Sequence, residues 1–313
     1  LQVSIAEVED CPGTVKKYKL VAVDGGDLPQ WTAGAHLDIV VAPEYVRQYS
    51  MCGDPADRSS YEIAVLQEPE GRGGSQLMHR IFEPGRRVFV SKPSNHFELD
   101  ASAKMSLLFG GGIGVTPMLA FAHELYRKGG AFRLMYSASQ KSKAAFDGAF
   151  DGLAWADRVS RYYSDQGTRL DIARAVPAYE VGMHIYVCGP DAYMSAILDH
   201  ARSIGYPEVA LHAEFFTLPE LPERENFPFE IERPDGQKIL VTAAQSASDA
   251  LIAAGVPVNV KCADGLCGVC KCTLLAGEVE HRDFVLSAAQ CETTVILCQS
   301  RAAKAGGVLK LDI

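Results

Sequence analysis

Four cysteines near the C-terminus have a spacing that points to a defined chemistry. Cys262, Cys267 and Cys270 form a C-x4-C-x2-C run, and Cys298 follows after 27 intervening residues. This is the plant-type spacing for a [2Fe–2S] cluster, in which four cysteine thiolates hold the two irons. Because such a cluster transfers one electron at a time, the spacing predicts a protein that carries electrons.

The loop between the first three cysteines contains small residues that such a site needs. Asp264, Gly265 and Gly268 allow the chain to curl, so that backbone N–H groups can point at the cluster sulfurs. Zinc is the alternative metal. Zinc sites usually combine Cys-x2-Cys or Cys/His pairs, and here Cys267 and Cys270 form the one such pair.

Two further cysteines lie close to this run. Cys272 follows Cys270 by two residues, as neighbours on one face of a strand do, and Cys291 precedes Cys298. We expect both to be packed thiols, although either is close enough in sequence to be a ligand instead. His281 has no partner at zinc spacing.

A glycine-rich run in the middle of the chain is a second candidate site. Met105–Phe109 is apolar and strand-like, Gly110–Gly114 follows it, and Thr116 and Pro117 suit the N-cap and first position of a helix. Residues 132–137 read as the next strand. Glycines at such a turn let the backbone approach a dinucleotide pyrophosphate. The run departs from the G-x-G-x-x-G fingerprint, so taken alone it fits a plain tight turn equally well.

A second strand-to-helix turn supports a nucleotide site. His184–Cys188 is strand-like, Gly189-Pro190 ends it, and a helical pattern follows from Asp191 to about Ile204. Cys188 is therefore placed at the carboxyl end of a strand, the edge at which open α/β sheets bind ligands. It is either a small buried residue or a compact, polarizable group presented to a reacting ring.

The first hundred residues alternate strand-like runs with turns, which is typical of a small antiparallel barrel. Two segments carry groups suited to a phosphorylated cofactor. Residues 47–50 offer a cation, an aromatic face and a hydroxyl, and residues 71–75 offer backbone N–H donors and a hydroxyl before a helical stretch. Each segment alone is also typical of an exposed turn.

The bulk properties restrict the class of protein. A chain of 313 residues predicts two or three domains, and a net charge of −9 argues against a general nucleic-acid binder. No apolar run reaches the ~18 residues of a transmembrane helix. The cysteine pattern and the absence of a visible secretory leader lead us to expect a cytoplasmic location, without attachment to a membrane.

Together these motifs resemble those of the phthalate dioxygenase reductase-like proteins, the three-domain reductases of Rieske-type oxygenases and related demethylases. The segment Glu280–Leu286, after the cluster loop, also resembles the ferredoxin domain of this family. The resemblance covers essentially the whole chain, including the domain order. It implies an antiparallel β-barrel flavin domain at 1–100, an α/β nucleotide-binding domain with a parallel sheet at 101–222, and a plant-type ferredoxin domain of β-grasp type at 227–313. Thr217–Asn226, proline-rich and acidic, would be the interdomain linker.

The resemblance also implies which residues bind the cofactors. Phe216 would be the aromatic that covers the flavin, although Phe215 could take that place and packing in the core is the alternative for both. The FMN residues would be Arg47, Tyr49, Ser50, Ala64, Val65, Gly73, Gly74 and Ser75; the nicotinamide residues Gly111, Gly112, Gly114, Thr116, Pro117, Cys188, Gly189 and Pro190; and the cluster ligands Cys262, Cys267, Cys270 and Cys298.

The implied pathway runs from NADH through FMN and the [2Fe–2S] cluster to a separate terminal oxygenase, which would dock transiently near residues 263–269. The cofactors carry this chemistry, so we assign no catalytic acid, base or nucleophile, and none of the eight histidines is given a catalytic role. The alternatives are a self-sufficient flavin or ferric reductase, a redox-sensing iron–sulfur flavoprotein, and a zinc module fused to a flavin reductase.

Two cofactor choices depend on smaller signals. FMN is favoured over FAD because the phosphate loop falls inside the barrel domain itself. In Tyr136–Lys141 a serine stands where the family often carries an arginine, a departure that weakens the guide to cofactor preference. NADH is favoured over NADPH because no arginine clearly suits a 2′-phosphate. Lys141 and Lys143 could in principle serve that role.

Overall fold

The computed structural model describes residues 1–43, 45–71, 73–217, 224–286 and 288–313. The chain forms two compact units, Leu1–Ala213 and Glu214–Ile313. Arg72 of the predicted phosphate loop and residues 218–223 of the predicted linker lie outside the described residues. In the described part of the chain, no helix is both long enough and apolar enough to cross a bilayer.

The first sheet is an antiparallel barrel. Its strands follow the order β4-β3-β6-β1-β2-β5, with β7 paired to β3. A bridge between Met51 and Ile63 and a 2.9 Å bond from the Cys52 N–H to the Glu62 carbonyl join its two ends. The elements are β1 (Gln2–Cys11), β2 (Val15–Ala22), β3 (Ala35–Ala42), β4 (Tyr45–Ser50), β5 (Ser60–Leu66), helix α1 (Gly74–Ile81), β6 (Arg87–Val90) and β7 (Ser94–Asn95).

The second sheet is parallel between β10, β9, β8 and β11, in the order β10-β9-β8-β11-β12. The chain first adds strands on one side of β8 and then on the other, which makes the β8–β11 boundary the topological switch point. The elements are β8 (Met105–Gly111), α2 (Val115–Arg127), β9 (Ala131–Ala138), β10 (Val159–Tyr163), α3 (Ile172–Ala175), β11 (Met183–Cys188), α4 (Asp191–Ser203) and β12 (Leu211–Glu214).

The second unit is built on a mixed sheet in the order β14-β13-β19-β15-β17, in which β13 and β19 are parallel. Helix α5 begins with a capping box between Ser246 and Asp249. The elements are β13 (Phe229–Glu232), β14 (Lys238–Val241), α5 (Ala247–Ala253), β15 (Lys271–Ala276), β16 (Val279–Glu280), α6 (Ala288–Cys291), β17 (Thr294–Ile296), β18 (Arg301–Ala302) and β19 (Val308–Asp312).

The predicted fold class, a flavin-type barrel followed by a parallel α/β sheet and a ferredoxin-type domain, is confirmed. The barrel and the parallel sheet share one continuous apolar core, to which Ala64, Val115 and Cys188 all belong. The domain boundaries at 100/101 and 222/227 stay predictions.

Candidate functional site

The four predicted cluster ligands come together in the second unit. Cys262, Cys267 and Cys270 lie on the loop before β15, and Cys298 lies just after β17, which pairs with β15. Cys262 is half-buried and the other three are buried. Side-chain hydrogen bonds connect Cys262 with Cys267 and Cys298, and Cys270 with Cys298. Residues separated by up to 36 positions in sequence therefore present their sulfurs to one another.

Backbone N–H groups of the same loop point at these sulfurs, as the loop composition predicts. The Asp264 N–H donates to Cys262 Sγ at 3.3 Å. The N–H of Val269 donates to Cys267 and that of Gly265 to Cys298. Gly265 and Gly268 have φ of 74° and 64°, a left-handed conformation that glycine adopts without strain. Donors aimed at sulfur are typical of iron–sulfur sites.

The hydrogen bonds also favour thiolates at this site. Hydrogen bonds donated by the thiols of Cys267 and Cys298 lower the pKa of Cys262 far below its usual value, and the bond from Cys298 lowers the pKa of Cys270 to about 7. Each donor retains its proton more firmly, so the pKa of Cys267 and that of Cys298 are raised. A site that stabilises negative sulfur suits a metal ligand, since the thiolate is the ligating form.

The set of donors fits a two-iron cluster. The described residues contain no group of three or more His, Cys, Asp or Glu side chains placed around one ion position. The four thiols instead form one connected chain, Cys267–Cys262–Cys298–Cys270, and four cysteine thiolates are the ligand set of a plant-type [2Fe–2S] cluster.

Cys272 and Cys291 are packed thiols, as predicted. Cys272 is buried in β15, and its thiol donates to the Thr273 and Asp312 carbonyls at 3.7 Å each. Burial raises the pKa of Cys272 to about 11, so it stays protonated. Cys291 is half-buried at the end of α6, and its carbonyl accepts a hydrogen bond from His281 Nε2 at 3.0 Å.

In the first unit, the structure brings two predicted flavin segments together. A Cβ on Gly74, at the start of α1, would lie 2.5 Å from Arg47 Nε on β4. Gly73 precedes the helix with φ of 79°. The Ser75 hydroxyl accepts a hydrogen bond from the Glu68 N–H at 3.1 Å. Arg47 therefore lies against the helix N-terminus, where a cation and free N–H groups favour a phosphate.

Sequence reasoning missed Tyr45, Lys16 and Arg80 at this site. The Arg47 guanidinium lies 5.1 Å from the centre of the Tyr45 ring, and a Cβ on Gly73 would lie 3.5 Å from the Tyr45 hydroxyl. A cleft of about 570 Å³ beside Gly73 is also lined by Lys16 and Arg80. The signal for Tyr45 was its position two residues before Arg47, which puts both on one face of a strand.

The remaining flavin candidates lie in the barrel wall next to each other. Ser50 ends β4, and the Met51–Ile63 bridge places that end beside Ala64 and Val65 of β5. Ser50, Ala64 and Val65 are buried. Burial raises the pKa of Tyr49 to about 12, against the opposing charge of Arg47, so the phenol stays neutral.

The two nicotinamide motifs pack directly on each other at the switch point. A Cβ on Gly114 would lie 2.4 Å from the Cys188 carbonyl oxygen, and a Cβ on Gly111 would lie 2.9 Å from Pro190 Cδ. A Cβ on Gly189 would lie 2.9 Å from Gly111 Cα. These positions require glycine because there is no room for a side chain. The two motifs lie at the carboxyl edge of the sheet, where open α/β sheets bind ligands.

The predicted N-cap role of Thr116 is wrong. A 3₁₀ turn at Gly112–Gly114 leads into α2, which begins at Val115 with Gly114 as its N-cap. Thr116 is buried inside the first turn, with Pro117 next to it, and its hydroxyl donates to the Ile113 carbonyl at 3.0 Å. The 3₁₀ turn contacts β5, so the flavin strand and the nicotinamide turn are adjacent.

Two hydroxyls at the same edge were also missed. Ser137 pairs with Gly111 across β9 and β8, and the Tyr193 ring would lie 3.0 Å from a Cβ on Gly111. Both hydroxyl oxygens are buried without a hydrogen-bond partner of good geometry among the described residues. Burial raises the pKa of Tyr193, and the adjacent Ser137 offsets this only in part. The two hydroxyls therefore lie next to each other beneath the glycine turn.

The two phenylalanines after β12, Phe215 and Phe216, have different environments. Phe215 packs in the second unit against Phe284, with ring centroids 4.9 Å apart. Phe216 is 42% exposed. The placement of Phe216 over a flavin stays a prediction.

Comparisons with known proteins cover the whole chain. Residues 226–303 match the family model for the 2Fe-2S iron-sulfur cluster binding domain. The chain is 37% identical to a vanillate O-demethylase oxidoreductase of Pseudomonas sp. (strain HR199 / DSM 7063), over 99% of this chain and 100% of that one.

Two solved structures also match over 100% of the chain. Phthalate dioxygenase reductase, described as a modular structure for electron transfer from pyridine nucleotides to [2Fe–2S], has a TM-score of 0.71 at 34% identity, with 98% of that chain covered. An intact type IV self-sufficient cytochrome P450 monooxygenase has a TM-score of 0.91 at 33% identity, with 41% of that chain covered.

Proposed function

Because this chain belongs to the phthalate dioxygenase reductase-like family, we propose that it passes electrons from NADH through FMN and a [2Fe–2S] cluster to a separate oxygenase component. The protein is an oxidoreductase, the reductase component of an oxygenase system. The convergence of Cys262, Cys267, Cys270 and Cys298, with backbone N–H groups aimed at their sulfurs, is the observation that carries the proposal.

The cofactors divide the chemistry. When bound, the nicotinamide supplies a hydride to the flavin, and the flavin supplies single electrons to the cluster. Because the cofactors carry the transfer of hydride and electrons, we propose no side chain as an acid, base or nucleophile. What the protein contributes is position and charge.

Each binding segment contributes in its own way. Arg47, held against Gly74 and the Tyr45 ring, provides the positive charge for the flavin phosphate. Gly111, Gly114 and Gly189 would fix the shape of the turn that receives the nicotinamide nucleotide, since each lies where a side chain would collide with the facing motif. The contact between β5 and the 3₁₀ turn would place the proposed flavin segment beside the proposed nicotinamide turn.

The partner is proposed to dock at the cluster loop, residues 263–269. Val269, between two ligands, is 43% exposed and offers an apolar contact near the metal. Two classes of oxygenase are candidates. A Rieske-type component is favoured by the family, and a haem oxygenase is favoured by the fit to the reductase-like portion of the self-sufficient P450. We also propose a cytoplasmic location and domains at 1–100, 101–222 and 227–313.

Anaerobic titration with NADH tests the proposal. The purified protein should show flavin and iron–sulfur absorption, and both should bleach as NADH is added. The reduced protein should then give the electron paramagnetic resonance signal of a [2Fe–2S] centre. Bleaching of flavin without a cluster signal, or a stoichiometric zinc content, would overturn the electron pathway. Electron delivery to a Rieske protein and to a P450 separates the two partner classes.

A further inference from the structure

The segment Glu280–Leu286, to which the family resemblance gives no role, contacts the cluster loop through Asp283 and Phe284. The Phe284 N–H donates to the Gly265 carbonyl at 3.2 Å, and a Cβ on Gly265 would lie 3.2 Å from Asp283 Cα. The N–H of the same Gly265 donates to the sulfur of Cys298. One residue of the cluster loop thus connects this segment to a ligand.

Asp283 is a buried carboxylate with an incomplete set of partners. Its side chain is 1% exposed. Oδ1 accepts hydrogen bonds from the backbone N–H groups of Val285 and Leu286 at 3.2 and 2.9 Å. Oδ2 is buried with no hydrogen-bond partner among the residues that the structure describes. A buried carboxylate oxygen without a donor is costly unless a positive charge lies close by.

His281 is the group that can supply this charge. Its Nδ1 lies 3.7 Å from Asp283 Oδ2 and, like Oδ2, is buried without a hydrogen-bond partner in the described part of the chain. Its Nε2 faces the Cys291 carbonyl at 3.0 Å, and a carbonyl only accepts, so Nε2 carries a hydrogen. A second proton on Nδ1 would make the ring an imidazolium beside the carboxylate.

The other charges around this pair are engaged elsewhere. Arg282 pairs with Glu280 at 2.6 Å and donates to Asn226 Oδ1 at 2.6 Å. Glu280 is also paired with Arg224 at 3.3 Å. Burial, and then the Asp283 carboxylate, raise the pKa of the Cys291 thiol, which keeps that neighbour uncharged.

We infer that the ion pair of His281 and Asp283, through its two buried charges, sets the reduction potential of the [2Fe–2S] cluster. The inference rests on the proposed function, because it needs the cluster in place. Asp283 is a positioning residue, because it packs against Gly265 of the cluster loop. It also places a negative charge beside that loop, and the positive charge of His281 balances it. Buried charges act on a cluster with little screening.

Two isosteric variants should move the potential in opposite directions. Asp283→Asn keeps the oxygen that accepts from Val285 and Leu286 but removes the negative charge, so the potential should rise. His281→Gln keeps a donor for the Cys291 carbonyl but removes the positive charge, so the potential should fall. Each should change the one-electron equilibrium about tenfold, which corresponds to about 59 mV. The double variant should return close to the wild type.

Glu278→Gln is the matched control, because it also removes one negative charge from the second unit. Glu278 is paired with Lys304 at the surface, where solvent screens both charges, so this variant should leave the potential unchanged. The readout is the midpoint potential from anaerobic spectroelectrochemistry, with the electron paramagnetic resonance spectrum as a check on cluster geometry.

The possible outcomes are distinct. Opposite shifts in the two variants, with unchanged resonance spectra, support the inference. Shifts of the same sign, or no shift, overturn the inference, because a purely structural role of the two side chains would not give shifts of opposite sign. A wild-type protein that binds no [2Fe–2S] cluster would instead overturn the proposed function itself, so the two failures cannot be confused.

Discussion

Glycine serves different ends in the two units. Gly114, at the nicotinamide turn, has φ of −66°, which any residue adopts, but a Cβ there would lie 2.4 Å from the Cys188 carbonyl. Gly265, in the cluster loop, has φ of +74°, and a Cβ there would also lie 2.9 Å from Gln299 Cγ. Gly114 in the first unit is therefore needed for space alone. Gly265 in the second unit is needed for backbone direction as well, because that direction aims its N–H at sulfur.

This difference extends to how the units hold their ligands. The first unit offers backbone surface and a few cations, so binding is distributed over many contacts. The second unit concentrates binding on four sulfurs. We therefore expect a single substitution to weaken a cofactor in the first unit but to eliminate one in the second. Four predictions follow, beginning with the largest effect, and those on Cys270, Gly114 and Tyr45 test that contrast.

Cys270→Ser should eliminate the [2Fe–2S] cluster. It removes one of four ligands, and a serine oxygen is a poor replacement for a thiolate on iron. The visible iron–sulfur absorption and the resonance signal of the reduced protein should disappear, while NADH still bleaches the flavin. Electron transfer to the oxygenase should be lost.

Cys272→Ser is the matched control for that variant. Cys272 is two residues away and buried, but its thiol bonds to the Thr273 and Asp312 carbonyls, and serine can donate to the same oxygens. The cluster content should stay at the wild-type level. Loss of the cluster in this variant, or its retention in Cys270→Ser, would show that the ligand set is assigned wrongly.

Gly114→Ala should raise the KM for NADH by about ten- to a hundredfold. The added methyl would overlap the Cys188 carbonyl, and forced overpacking of this kind costs about 1–3 kcal/mol. The nicotinamide turn must then move away from Gly189 and Pro190, while the cluster absorption and the bound flavin stay the same.

Gly152→Ala is the control for the nicotinamide turn. A Cβ at Gly152 would have no neighbour within 4 Å, so the variant should match the wild type in steady-state kinetics. An unchanged KM in Gly114→Ala would mean that the close contact between the two motifs does not shape the nucleotide site.

The sequence predicted those parts of the site in which the chemistry fixes the spacing of the residues along the chain. The four cluster cysteines could be identified because ligand spacing is set by the metal and hardly depends on distant packing. The role of Tyr45 could not be predicted, because Tyr45 contacts Gly73 only through the packing of α1 against β4. The N-cap assigned to Thr116 failed because a 3₁₀ turn leads directly into the helix, which begins two residues earlier than predicted. Ser137 and Tyr193 meet only through strand pairing and the packing of α4.

The first unit should lose stability in mild acid through His212. Burial, and then the neighbouring His184, lower the pKa of His212 to about 4. The unfolded chain therefore takes up a proton at about pH 6.5 that the folded chain accepts only near pH 4. The free energy of unfolding should be constant above about pH 6.5 and should fall by roughly 3 kcal/mol at most as the pH is lowered to about 4.

Tryptophan fluorescence can follow this unit alone, because Trp31 and Trp155 both lie in it. His212→Asn should flatten the dependence of thermal unfolding on pH in this range, apart from the part that His184 contributes, since burial also lowers the pKa of His184. The same slope in variant and wild type would assign the acid sensitivity to other groups.

Tyr45→Leu should give the smallest effect, a three- to tenfold weaker affinity for FMN. The ring holds the Arg47 guanidinium through a cation–π contact, which contributes about 0.5–1 kcal/mol at exposed sites and more when it is desolvated. Tyr126→Leu is the matched control, since it removes a similar contact with Arg158 at the end of α2, away from the flavin segments. Fluorescence titration of the apoprotein measures both. If Tyr45→Leu lost FMN entirely, binding in the first unit would be as concentrated as it is at the cluster, and the contrast between the two units would fail.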